Sequence, residues 1–272
     1  MKKRIQETDT MPPVPTVPAI SDTGSDAYMD FLKAKIALSN PKGIAVDASD
    51  IHPILKPHQR DIVRWMVQGG QRAVFAAFGL GKTLIQLEAA RLILGQMGGR
   101  GLIVCPLGVR AEFMRDAKMI GMSPEFIRTN EQAAMGGDGL YLTNYESIRE
   151  RKLDPRGFSF ISLDEAAILR GFGGSKTFRE LMRLFEGTAT YRFVATATPD
   201  PNEYIELLAY AAFLGIVDVG EGKTRFFKRD STKADKLTLH AHKIAEFWLW
   251  VSSWAVFVQR PSDLGYDDTG YV

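Results

Sequence analysis

The chain has a single cysteine, Cys105, in 272 residues, so no internal disulfide can form. That usage fits a reducing compartment. Cys105 lies in the apolar run "GLIVCP" and reads as a packing residue rather than a reactive thiol. There is no excess of either charge, with 34 Lys and Arg against 32 Asp and Glu. Bulk charge therefore argues for neither a nucleic-acid nor a membrane partner, and any basic surface has to be local. An apolar run of membrane-spanning length is also lacking. The most hydrophobic window, "IAEFWLWVSSWAVFV" at 244–258, falls short of the roughly 20 residues a span needs and contains Glu246 and two serines. The basic start "MKKRIQ" is not followed by an apolar stretch, which excludes a secretory signal, and no internal repeat stands out. A soluble protein with no membrane partner is expected.

What is present is a 45% hydrophobic composition, enough for one good-sized core. Residues 11–26 carry prolines and small polar residues, and 1–26 reads as an extended, disordered tail. From about residue 51, apolar strand-like runs alternate with helical patterns. "RAVFAA", "GLIVCP", "FSFISLDEA" and "YRFVATATP" read as strands, with "EFIRT" and "GLYLT" as further candidates. This alternation predicts an α/β fold, a mainly parallel sheet with helices on both faces, over 27–217. After about residue 217 the alternation stops. The segment 218–272 reads as a basic connector followed by an aromatic helix, a C-terminal helical extension.

In parallel sheets ligands gather at the C-terminal ends of the strands, and each unusual polar cluster of this chain falls at such an end. "AAFGLGKTL" (76–84) sits between a strand and a helix. It matches a phosphate-binding loop except that Ala76 replaces the first glycine. Gly79 and Gly81 let backbone N–H groups turn inward around phosphate oxygens, and the start of the following helix adds partial positive charge. Phe78, Leu80 and Leu84 complete the expected ATP-binding stretch. Lys82 is expected to reach the β and γ phosphates, and the Thr83 hydroxyl to coordinate Mg²⁺. Asp164, after the strand "FISL", is the expected second metal residue, and Glu165 the group that orients or deprotonates the attacking water. Alone, an Asp-Glu pair here would read as helix N-terminal acids; the loop above favours catalysis. Thr196, Ala197 and Thr198 end a strand and are the candidate coupling residues. Gln59 in "LKPHQRD" is a candidate for reading adenine, because an amide both donates and accepts, although an isolated glutamine is more often solvated. The basic stretch 223–243, with Lys223, Arg225, Lys228, Arg229 and Lys236, reads equally as a phosphate-contacting surface and as a solvated linker.

Gln59, "AAFGLGKT", "LIVCPLGVRAEF", "YLTNYESI", "LDEAA" and "ATATP" occur in the order found in superfamily 2 helicases and translocases. Ala76 is usual in that superfamily's version of the loop. "CPLGVRAEF" and "LTNYE" resemble the Swi/Snf-like branch, and "RPSDLGYDD" resembles phage and prophage members; the likeness covers roughly 50–272. It implies a RecA-like ATPase lobe that acts with ATP and Mg²⁺ on nucleic acid, double-stranded DNA in particular. The setting would be the cytoplasm of a bacterial cell or a phage-infected host. It further implies that Arg110, Thr143 and Asn144 touch the nucleic-acid backbone. Two departures stand out: Ala167 occupies the position of a histidine in many members, and no second sheet or arginine-finger motif is evident after residue 217. An arginine finger contributes about 10³–10⁵ in rate, so nucleotide binding with slow hydrolysis is expected, activity being restored by a second chain or domain carrying the other lobe.

Two other readings compete. One is an ATP-binding interaction module that docks a partner through Phe247, Trp248, Trp250 and Trp254. The other is a small-molecule phosphotransferase, disfavoured by "LTNYE" and "TATP" and by the lack of an acceptor-site signature. The aromatic residues read as a packing face for a neighbour more than as base-stacking platforms. Were that neighbour a separate lobe, they would form an exposed patch.

Overall fold

A computed structural model describes residues 38–166, 182–185, 189–197, 204–229 and 237–271. Thr198, Ala167 and Lys236 lie outside the described residues. The apolar runs form a seven-stranded sheet in the order β3-β4-β2-β5-β6-β1-β9, every pairing parallel. Its strands are β1 (Gln71–Ala76), β2 (Arg100–Val104), β3 (Glu125–Phe126), β4 (Gly139–Thr143), β5 (Phe160–Asp164), β6 (Tyr191–Thr196) and β9 (Ala255–Val258). A separate antiparallel hairpin pairs β7 (Phe227–Arg229) with β8 (Leu237–Leu239).

Parallel strands need long crossovers, and helices supply them here. On one face lie α1 (Pro57–Gly69), α2 (Lys82–Met97) and α3 (Arg110–Met119), sharing a core with the alternate strand residues Val74, Ala76, Ile103, Leu142, Phe160 and Phe193. Phe75, pointing the opposite way along β1, meets Tyr210 of α6 (Leu207–Leu214) and Phe257 of β9. Both faces are thus covered, which is why the strands read as unbroken apolar runs rather than as alternation. The short helices α4 (Asn130–Met135) and α5 (Tyr145–Arg149) flank β4.

The segment 218–272 does more than connect. After α7 (Val219–Phe226) and the hairpin, α8 (Ile244–Ser252) delivers the chain back to the sheet, and β9 pairs with β1 as its edge neighbour. Four residues of β-rich sequence directly behind a tryptophan-rich helix cannot be told from the end of that helix by periodicity, so the strand goes unread. Nor do the aromatic side chains form an exposed patch: Phe247, Trp250 and Trp254 are buried against one another and Phe226. Among the described residues, no helix is long and apolar enough to cross a membrane.

Candidate active site

β1 ends at Ala76 and α2 begins at Lys82, so the glycine loop spans a strand end and a helix start. Gly79 and Gly81 have φ of +83° and +79°, a left-handed conformation that side-chain-bearing residues rarely adopt. A Cβ on Gly81 would lie 2.3 Å from Nε2 of Gln59, so the second glycine also serves close packing. Leu80 is buried and anchors the loop, whereas Phe78 is 83% exposed. Lys82 Nζ donates to the carbonyls of Ala76 (2.9 Å) and Ala77 (3.3 Å), which holds the ammonium at the loop. Burial lowers its pKa, and the nearby carboxylates of Glu165, Asp164 and Glu112 oppose that shift.

Asp164, at the end of β5, is 5% exposed. Burial pushes its carboxyl up to about 6; the hydrogen bond from Gln86 and the Lys82 charge pull it down, while Glu165 and Glu112 push it up. Gln86 Nε2 donates to Asp164 Oδ1 at 2.8 Å, and Gln86 Oε1 accepts from Ser162 Oγ at 2.6 Å. The Tyr145 hydroxyl donates to the Asp164 carbonyl at 2.6 Å. Asp164 is therefore braced from α2, from its own strand and from α5. The next residue, Glu165, has φ +46°, uncommon for a non-glycine and of the kind that persists where its surroundings impose it. Its Oε2 accepts from Thr196 Oγ1 at 3.2 Å, which joins the acidic pair to the end of β6. Ala197 follows, buried.

Lys82 thus lies near Asp164 and Glu165 where the C-terminal ends of β1 and β5 come together, and Thr196, at the end of β6, touches Glu165. Gln59 packs on the loop: its Nε2 donates to Leu80 O (3.1 Å) and its Oε1 accepts from Lys56 N (2.9 Å). Thr83 Oγ1 donates to Glu112 Oε1 at 2.9 Å. Gln86, Tyr145 and Glu112 escaped the sequence reading. A polar Gln86 four residues after Lys82, inside an apolar helix, was the available signal.

The expected nucleic-acid residues divide. Arg110 is exposed beside an open groove lined also by Leu107, Gly108, Ala111, Met114 and Arg128, and its guanidinium lies 4.3 Å from the centre of the Phe126 ring. Thr143 is fully buried, and Asn144 caps α5 through Ser147, so neither side chain stands at the surface. In the basic stretch, Arg225 pairs with Glu246 at 3.1 Å, and Lys228 and Arg229 are exposed on β7.

An oxygen-rich donor set of Thr83 and Asp164 fits Mg²⁺, and a divalent cation would offset the cost of ionising a carboxylate as buried as Asp164. Among the described residues, no three His, Cys, Asp or Glu side chains are grouped to hold a metal. The remaining ligands would then be phosphate oxygens and water, the usual arrangement for Mg²⁺.

No family model matches the chain, and no curated protein matches it. Among solved structures, it is similar to the Sulfolobus solfataricus SWI2/SNF2 ATPase core in complex with dsDNA, at 19% identity and TM-score 0.65, over 83% of this chain and 48% of that one. The Sulfolobus solfataricus SWI2/SNF2 ATPase core domain gives 19% identity and TM-score 0.59, over 85% and 49%. The UvsW helicase from bacteriophage T4 gives 13% identity and TM-score 0.48, over 70% and 66%. The chain spans about half the length of the first and second of these. At such identities the likeness establishes the fold, an α/β parallel sheet matching RecA-like ATPase cores.

Proposed function

We propose that this chain is the ATP-binding lobe of a nucleic-acid motor, an ATP hydrolase of the helicase or translocase type that acts on double-stranded DNA. The observation supporting it best is a left-handed glycine loop whose Lys82 is held at the loop carbonyls, near enough to Asp164 and Glu165 to feel their charge. The phosphates of ATP would lie against the backbone amides of 79–83, with Lys82 countering their charge. Gln59, which packs on Leu80 and Gly81, would read the adenine. Thr83 and Asp164 would hold Mg²⁺, which when bound would neutralise charge developing on the phosphates. Glu165 would orient the attacking water and take its proton, while Thr196, bonded to that carboxylate, would carry a change there to the end of β6. Arg110 is the candidate for backbone contact on the nucleic acid.

Titration of a fluorescent ATP analogue in the presence of MgCl₂ tests the first half. Binding is expected, and Lys82→Ala should weaken it roughly 10- to 100-fold, the worth of one charge-assisted contact. An unmutated chain that captures no analogue would sink the reading. Labelled duplex DNA titrated in rising salt tests the second half. The log of affinity should fall by about 0.9 per phosphate contact per log unit of salt, and Arg110→Ala should flatten that slope. No DNA binding would leave an ATP-binding interaction module instead. The burial of Phe247, Trp250 and Trp254 inside this chain takes three of the four proposed docking side chains away from that alternative. The 272 residues alone are expected to turn over slowly, because the transition-state arginine is expected from another lobe. DNA-stimulated turnover of about 1 per second or faster would overturn that expectation.

A further inference from the structure

Glu112 stands in the first turn of α3, where a surface acid needs no explanation beyond the helix dipole. Its contact is less ordinary. Glu112 Oε1 accepts the Thr83 hydroxyl at 2.9 Å, across 29 residues of sequence. The same carboxylate is near enough to Lys82 and Asp164 to act on the charge of both. A threonine hydroxyl has one proton and two acceptor lone pairs. With the proton committed to Glu112, the lone pairs are left for whatever lies on the other side of the oxygen.

We propose that Glu112 is a positioning residue for the candidate metal site: by accepting the Thr83 proton it fixes that hydroxyl's rotation and aims its lone pairs at the Mg²⁺ of bound ATP. The inference rests on the reading of the loop as a nucleotide site. A carboxylate acceptor also makes the hydroxyl oxygen a better donor to a cation, as outer-shell acceptors do for other metal-bound side chains. Arg110 begins the same helical turn, so a ligand that shifts this turn also shifts the acceptor of Thr83.

The test is the Mg²⁺ dependence of binding of a fluorescent ATP analogue, read as the MgCl₂ concentration for half-maximal binding. Glu112→Ala should raise that concentration about tenfold. Glu112→Gln keeps an acceptor oxygen and should recover most of the loss. In a Thr83→Ala background, Glu112→Ala should add nothing, because the two changes remove the same contact. Thermal unfolding of each variant confirms that folded protein is compared. An unchanged Mg²⁺ half-point in Glu112→Ala, no recovery in Glu112→Gln, or an equal shift with and without Thr83 would each overturn the proposal. Failure of the unmutated chain to bind the analogue at any Mg²⁺ concentration is a separate outcome, which removes the nucleotide reading itself.

Discussion

Asp164 is nearly sealed from water, yet Lys82 lies close enough to act on its charge. The cost of ionising it is visible in its carboxyl, raised from 3.8 to about 6 mainly by burial. The unfolded chain ionises this group near pH 4 and the folded chain near pH 6, so between those values the folded state holds the extra proton. Stability from this group is therefore highest below about pH 4, declines as pH rises toward 6, and stays reduced above it. Asp164→Asn removes the charge while its amide oxygen can still accept from Gln86. In metal-free buffer at pH 7.5, the variant should be more stable than the unmutated chain by on the order of 1–3 kcal/mol, with the gap closing near pH 4. Urea unfolding at both pH values measures it, and a variant no more stable at pH 7.5 would refute it. The same variant should lose Mg²⁺-dependent nucleotide binding, a trade of stability for function.

At the scale of elements, the site is a junction of strand ends held by side chains from other elements. α2 contributes Gln86 as well as Lys82, and α5 contributes Tyr145, whose hydroxyl is buried against the Asp164 carbonyl. Tyr145→Phe leaves the ring in place and that carbonyl without its partner. The expected cost is about 1–3 kcal/mol in urea unfolding. A variant as stable as the unmutated chain would show that the hydroxyl braces nothing. The glycine loop between strand and helix was readable, because φ above zero and a helix start leave a mark in residue type. The Gln86–Asp164 and Tyr145–Asp164 bonds were not, since they join residues 78 and 19 positions apart. Burial likewise decided Thr143 and Asn144, whose residue types suit surface contact but which β4 and the cap of α5 turn inward.

At the scale of the whole molecule, β9 supports the start of the glycine loop. Ala73 N donates to Trp254 O at 2.8 Å, and Ala77 N donates to Val258 O at 2.9 Å, so β9 holds β1 at both ends up to the loop. Trp254 is fully buried against Trp250. Trp254→Ala should cost about 3–5 kcal/mol in urea unfolding, the range for deleting a large buried aromatic side chain. It should also weaken ATP-analogue binding, since the loop loses its lateral support. A variant with unchanged analogue affinity would show that β9 is only an edge to the sheet.

Local conformation followed from residue order. The apolar runs and their helical spacers determined a parallel α/β sheet, and the glycines of 79–81 determined a left-handed turn at a helix start, because those properties depend on neighbours a few positions apart. The tertiary structure decided which polar groups meet: Thr83 with Glu112, Asp164 with Gln86 and Tyr145, Glu165 with Thr196. It also decided that the aromatic helix turns inward and that β9, the last of the described strands, lies beside β1, the first of them. Those outcomes come from long-range burial, where a side chain's environment is set by elements far away in sequence and no local pattern carries the information.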